Sequence, residues 1–230
     1  MKSRTILAVA GMLLAAGVNL SAQSYGQTSS TSPRVTVGLR AGYHDGAGVE
    51  AFGILSDFAQ GFPFAMRLGL SRTSAQPGSA WDARRIFINN NTNGDPEKKG
   101  RSWNVKLDFL APVDLLSSAR TYAYGGVRHA RFTGNFRFVG GNEDFDVTSK
   151  QWGIGAGLES YFAVSSRVDF VVNGGIDYFL SGTLTGHDTS YSPDGEDINP
   201  REDYTYSDAD AAIAQPKFEP TVMLGLAYRF

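Results

Sequence analysis

The segment FEPTVMLGLAYRF, residues 218–230, alternates apolar side chains with polar or small ones. Val222 and Leu224 share one side of the alternation, whereas Glu219 and Arg229 occupy the other. A β-strand points successive side chains to opposite faces, so a period of two predicts a strand with one apolar and one polar face. A sheet built from such strands must place its two faces in different environments.

The same period recurs along the chain and predicts about eight strands. Two of the earlier segments, 49–55 and 122–132, leave open which side chains face which way. The segments before the last one are 35–44, 49–55, 62–71, 103–109, 122–132, 152–158 and 168–180.

The connections between these segments alternate in length. Short links at 56–61, 111–120 and 164–167 separate longer ones at 73–100 (loop two), 133–149 (loop three) and 181–216 (loop four). Short turns at one end and long loops at the other are typical of an up-and-down barrel that crosses a membrane. The pattern therefore predicts an all-β fold, a single antiparallel up-and-down transmembrane β-barrel of about eight strands. We also expect loop three to form a hairpin over 136–147 that extends past the membrane, and loops two and four to extend in the same way through 85–88 and 204–206.

The first residues have the pattern of an export signal. Lys2 and Arg4 precede an apolar stretch that ends at small residues, which predicts a signal peptide over 1–22. The apolar stretch is shorter than the roughly 20 residues of a membrane-spanning helix, which disfavours the alternative of an N-terminal anchor. Residues 23–33 form a polar, flexible lead-in, and 34–230 form the barrel domain.

Composition excludes several other classes. The chain has no cysteine, which excludes disulfides and thiolate metal sites, and its formal net charge of −2 argues against nucleic-acid binding. We expect no cofactor and no metal.

The charges on the polar face distinguish a membrane barrel from a soluble secreted one. A soluble barrel also alternates, but it turns its apolar face inward. Lipid penalises a basic side chain at mid-membrane by about 2–4 kcal/mol, so charges on membrane-spanning strands must face the lumen, where opposite signs pair. Glu219 shares this face with the predicted lumen charge network of Arg40, Arg67, Lys106, Asp108, Glu159, Asp169, Asp177 and Arg229.

The final strand also carries a resemblance. Its alternating apolar residues, Tyr228 and the terminal Phe230 resemble the assembly signal that the barrel-insertion machinery reads in outer-membrane barrel proteins. From about Val35 to Phe230 the chain resembles the small-barrel class of the OmpA/OmpX type in strand number and loop asymmetry. The resemblance implies a location in the cell outer membrane, among its lipids and lipopolysaccharide. The class contains anchors, adhesins, narrow pores and lipid-modifying enzymes, so it does not fix the function.

No catalytic constellation is evident. His44, His129 and His187 are the only histidines, and none has a neighbouring serine in the pattern of a serine esterase. Loop four is strongly acidic, but it lacks the ligand order of a calcium hand, so calcium binding stays open. We expect a scaffold with a side-chain-filled lumen, whose loops two to four contact lipopolysaccharide or a protein partner. A narrow passive pore and a lipid-modifying enzyme are the alternatives.

Overall fold

The computed structural model describes residues 33–230, so the predicted signal peptide (1–22) and nearly all of the lead-in (23–33) lie outside the described residues. Eight antiparallel strands close into a barrel, as predicted. The barrel strands are β1 (Arg34–His44), β2 (Ala47–Ser56), β3 (Ala65–Ser74), β4 (Asp95–Val113), β5 (Arg120–Val139), β6 (Asp144–Ala163), β7 (Val168–Phe179) and β10 (Phe218–Arg229).

Closure depends on the pairing of the first strand with the last. Val37 of β1 lies opposite Tyr228 of β10, and β10 pairs on its other side with β7. The remaining neighbours follow chain order from β1 to β7. Because every long strand has a partner on both sides, the barrel presents no free edge to lipid.

The two faces of the barrel are opposite in character. Leu39, for example, points outward and is 69% exposed, whereas its neighbour Arg40 is buried in the lumen. An apolar outer wall around a charged interior is the arrangement of a transmembrane barrel. The structure also settles the two open facings, because Glu50 of β2 and Arg128 of β5 both point inward. Within residues 33–230, neither helix has the length and hydropathy needed to cross a membrane.

Aromatic side chains gather at the two ends of the outer wall. Those near the long loops are Tyr43, Trp103, Trp152 and Tyr178, and those near the short turns include Phe62, Phe64, Phe109 and Phe230. Such belts mark the two membrane–water interfaces. The prediction that a strand begins at Phe62 is wrong, because β3 starts only at Ala65. Pro63 has no N–H to donate to a ladder, so this segment serves as an aromatic turn.

The long-loop end is folded rather than open. Loop three is a continuation of the β5–β6 hairpin, paired as far as Arg137 and Asp144, as expected. Loops two and four do not form the expected strand extensions at 85–88 and 204–206. Loop two instead contains α1 (Ala80–Phe87), and loop four contains α2 (Tyr206–Ala212) with the short strands β8 (Leu184–Thr185) and β9 (Ser190–Tyr191).

Local sequence explains why helices form there. The Ser79 side chain accepts a hydrogen bond from the Asp82 backbone at the start of α1, and Thr205 with Asp208 forms a capping box at the start of α2. The two loops are also joined directly, since Gly78 pairs with Ile213 as an isolated bridge.

A hydrophobic core lies beneath these helices. We call the β5–β6 extension together with the folded loops two and four the cap. Its buried side chains come from the hairpin and from both loops: Ala80, Ala83, Ile86, Phe87, Phe132, Phe136, Phe138, Phe145, Val147, Leu184, Tyr191, Ala209, Ala212 and Ile213. The cap therefore has a core of its own, over the long-loop end of the barrel.

Candidate functional site

Two arginines of the lumen converge on Glu159 of β6. Arg40 donates to Glu159 at 2.9 Å, and Arg67 forms a second ion pair with the same carboxylate. The Tyr161 hydroxyl donates to its other oxygen at 2.5 Å. All four side chains are buried. Charges withdrawn from water in this way are stable only when fully paired, and Glu159 has a partner on each oxygen.

From Arg67 the pairing continues through Asp108 to Arg128. Arg67 donates to one carboxylate oxygen of Asp108 at 2.7 Å, and Arg128 donates to the other at 2.6 Å. Arg67 and Asp108 lie directly opposite each other on β3 and β4, whereas Arg128 reaches Asp108 from β5.

The pairing returns to its starting point on the other side of the lumen. Arg128 contacts Asp177 at 2.7 Å, Asp177 contacts Lys106 at 3.1 Å, and Lys106 contacts Glu50 at 3.3 Å. Glu50 then pairs with Arg40 at 2.5 Å. The result is a closed circuit of alternating acids and bases.

We call this circuit the lumen ring. The charges of its four acidic and four basic side chains cancel. These side chains come from seven of the eight barrel strands, all except β10. In order around the circuit they are Glu159, Arg67, Asp108, Arg128, Asp177, Lys106, Glu50 and Arg40.

Strand β10 joins the ring through a histidine. His44 places Nε2 3.2 Å from Asp177 and 2.9 Å from Glu219 of β10, while its Nδ1 lies 3.1 Å from the Thr73 hydroxyl. Asp177 and Glu219 lie directly opposite each other on adjacent strands, where two negatively charged carboxylates repel each other. A protonated His44 between them would balance the charge that Glu219 adds to the ring.

The same three side chains are the one group, among residues 33–230, whose ligand atoms are close enough to hold a metal ion. Imidazole and carboxylate are ligands of divalent metals. However, Asp177 is already in contact with Lys106 and Arg128, and two fixed cations at that distance oppose a third. The acidic residues of loop four do not converge in this way, because Asp194 and Asp197 bond to Ser192 in their own turn.

Two of the predicted network residues lie outside the ring. Asp169 is buried at the short-turn end, where it contacts Arg229 at 3.0 Å and Arg120 at 2.5 Å. The Arg229 side chain is 33% exposed, so this cluster lies at the mouth of the barrel and not in its buried interior.

Glycines in the lumen give room to the large members of this network. A Cβ on Gly155 would collide with Asp177 and Arg128, and one on Gly175 would collide with the Tyr124 hydroxyl. Tyr124 in turn lies under the Arg67 guanidinium, 4.3 Å from its ring centre. The space at these glycines is therefore occupied by neighbouring side chains.

Sequence reasoning placed six of the eight ring residues on the polar face but missed Glu50 and Arg128. Both lie in the segments whose facing was left open. A stricter search for lone charges on strands would have found them, because neither could face lipid without a large penalty.

A second charged centre stabilises the cap. Arg84 of α1 is fully buried, donates to the backbone carbonyl groups of Asn91 and Asn93 at 2.8 and 2.7 Å, and pairs with Glu143 at 2.9 Å. A hydrogen bond from the Asn89 amide, with the Arg84 charge, holds the pKa of Glu143 below its usual value. This centre ties loop two to the tip of the hairpin.

The remaining histidines are not part of either centre. His129 faces outward, with its ring 4.7 Å from the Trp152 ring, and His187 is exposed beside Asp188. Within the described part of the chain, no histidine has a hydrogen bond to a serine.

Comparison with solved structures supports the architecture. The major outer membrane protein of Thermus thermophilus superimposes with a TM-score of 0.70 at 23% identity, covering 86% of this chain and all of that one. This chain has the fold of a small outer-membrane barrel. Neisserial surface protein A (TM-score 0.42, 11% identity) and the attachment invasion locus protein Ail of Yersinia pestis (0.41, 13%) also match, each covering 86% of this chain and 97% of its own. No protein-family model and no curated protein sequence matches the chain.

Proposed function

We propose that this protein is a sealed scaffold of the bacterial outer membrane, with a lumen that does not conduct and a folded cap that faces the outside. The lumen ring is the observation that carries the proposal. It runs across the interior from strand to strand, and every charged group in it is buried and paired.

A permeating ion would have to separate these pairs. Each ring member contacts two partners of opposite sign, so opening a path breaks at least two buried ion pairs. Removing one partner of a buried pair costs about 3–5 kcal/mol. The glycines of the lumen do not open a path for ions, because the side chains of Asp177, Arg128 and Tyr124 fill the space beside them. The cap adds a second barrier above the long-loop end.

Single-channel recording in planar bilayers tests the proposal. We expect the wild-type protein to give no steady conductance. The double variant Arg40→Ala/Glu159→Ala, which removes two long side chains from the ring, should give open events. The matched control Arg34→Ala/Asp57→Ala removes an exposed pair at the short-turn end and should stay closed. Steady, ion-selective conductance in the wild type would overturn the proposal in favour of the narrow passive pore.

The outer surface of the cap is the part available for recognition. We propose that it contacts a protein partner, because Val139 and Ile198 expose apolar side chains near the ends of the folded loops. Loss of a cross-linked partner from whole cells on Val139→Asp/Ile198→Asp, with the barrel still folded, would support this role. An unchanged cross-linking pattern would contradict it.

We also propose that the chain is not an enzyme. Its buried histidine has carboxylates and a threonine as partners, and its other two histidines lie on the surface. Mass spectrometry of membrane lipids from cells with and without the protein tests this. A lipid species present only with the protein would support the alternative of a lipid-modifying enzyme.

Export by the predicted signal peptide and recognition of Tyr228 and Phe230 by the barrel-insertion machinery belong to the same proposal. The rings of these two residues lie 5.0 Å apart beside the closing seam. Membrane fractionation and heat-modifiable gel mobility of Phe230→Ala measure assembly. An assembly yield equal to that of the wild type would argue against the signal.

A further inference from the structure

The outer wall of the barrel carries a row of cations at the level of the aromatic belt of the long-loop end. Arg72 of β3, Trp103 of β4, Arg131 of β5 and Lys150 of β6 lie in one continuous register across four strands. Arg101 lies two residues from Trp103 on β4 and points the same way. We call the four cations the basic stripe. All four are exposed.

Nothing within the described part of the chain neutralises the basic stripe. None of its members forms an ion pair there, and the acidic residues nearest in the outward face of β6, Asp144 and Asp146, bond to Asn135 farther from the barrel. Arg131 and Lys150 are directly opposite each other on adjacent strands. Like charges in that position repel, so the arrangement favours an anion from outside the chain.

The stripe is confined to one side of the barrel. On the far side of Arg72 its direct neighbour on β2, Val49, carries no charge, and the exposed outward residues Tyr43 of β1 and Val222 of β10 carry none either. The four cations therefore form one localised surface of positive charge on β3–β6.

The surroundings of the stripe identify the kind of anion. Trp103 and Trp152 are 42% and 63% exposed on the outer wall, and Arg72 lies 5.7 Å from the Trp103 ring. Tryptophan at this level marks the headgroup region, and the wall below is apolar through Leu107 and Ile154. An anion held here has its charge at the stripe and hydrocarbon against the wall. We propose that the basic stripe binds the phosphate of an anionic membrane lipid in the outer leaflet.

Lipid-dependent quenching of tryptophan tests this directly, because Trp103 and Trp152 line the proposed site. A Trp81→Phe background removes the third tryptophan, which lies in the cap. The protein is refolded into vesicles that contain either brominated phosphatidylglycerol or brominated phosphatidylcholine, each diluted into unbrominated phosphatidylcholine. Preferential quenching by the brominated anionic lipid reports its enrichment at the site.

We expect the unmodified stripe to favour the anionic lipid by about fivefold for each cation that engages the phosphate. The preference should disappear at 1 M salt, where the screening length is about 3 Å. The double variant Arg131→Gln/Lys150→Gln should lose most of it. The matched control Lys99→Gln/Arg137→Gln removes the same charge from exposed positions farther from the membrane and should retain it.

Two results would overturn the inference. One is equal quenching by both lipids with the stripe intact, a measurement that does not depend on how any stripe variant folds. The other is an equal loss of preference in the two double variants, which would indicate a general effect of net charge. Heat-modifiable mobility of each variant verifies that the compared barrels are folded.

Discussion

Neutralising Glu159 should destabilise the barrel more than neutralising an exposed acid of the same chain. In Glu159→Gln the side chain keeps its shape but loses its charge, so Arg40 and Arg67 each lose one of two ion pairs while remaining buried. Removing one member of a buried pair costs about 3–5 kcal/mol. The amide oxygen can still accept one hydrogen bond, so we expect a loss at the lower end, about 3 kcal/mol.

Urea unfolding of the refolded barrel, followed by tryptophan fluorescence, measures this loss as a shift in midpoint at constant slope. Asp57→Asn is the control, because its ion pair with Arg34 is 56% and 77% exposed and such pairs contribute about 0–1 kcal/mol. If Glu159→Gln shifts the free energy of unfolding no more than Asp57→Asn does, the lumen ring is not an energetically connected unit. A changed slope would indicate an altered unfolded or folded state and would also contradict the expectation.

Three further predictions concern packing and the cap. Gly155→Ala should cost about 1–3 kcal/mol in urea unfolding because the new methyl group displaces a ring pair, whereas Gly53→Ala, which has open space, should be nearly neutral. Phe136→Ala, which removes a fully buried ring, should weaken the cap by about 3–5 kcal/mol, seen as faster amide exchange in the cap with exchange in the barrel unchanged. Faster exchange throughout the barrel would mean that the cap is not a separate unit. Because the pKa of Glu143 is lowered, its contribution is present above the usual glutamate pKa and is lost as pH falls through the lowered value. The protection of cap amides, taken relative to their intrinsic exchange rate at each pH, should therefore fall in acid, and Glu143→Gln should remove that fall; an unchanged acid profile of protection in the variant would refute the assignment.

The strands were predictable because their two faces meet different solvents. Lipid outside and charge inside impose a period of two that can be read over single segments such as 168–180. The ends of strands were less predictable. The β5–β6 hairpin continues beyond the membrane, where its inward face becomes apolar, as at Phe136, and its outward face becomes polar, as at Arg137. The period of two is the same on both sides of the interface, so the period alone does not mark where the membrane ends.

The folded loops were not predictable in the same way. Helix α1 is only eight residues long, and a charged residue such as Arg84 would be predicted from sequence to lie on the surface, although it is buried. Arg84 is buried because backbone carbonyls from the following turn and Glu143, 59 residues away, satisfy its guanidinium. Such partners belong to the tertiary structure and leave no local signal. The same holds for the ring, in which Arg40 and Glu159 are 119 residues apart.

The ring also bears on how the barrel selects one register. If the lumen were lined by apolar side chains, both faces of each strand would tolerate lipid, and a shift by one residue would cost little. With Arg67 and Asp108 on the inner face, a one-residue slip of β3 would turn Arg67 into the hydrocarbon, at about 2–4 kcal/mol, and leave Asp108 buried without one of its partners. Buried ion pairs add little net stability compared with well-packed apolar groups, but a mispaired ring is strongly penalised. The charges of the lumen therefore act chiefly by excluding wrong strand pairings, and the closure of the ring makes the position of each strand depend on its neighbours.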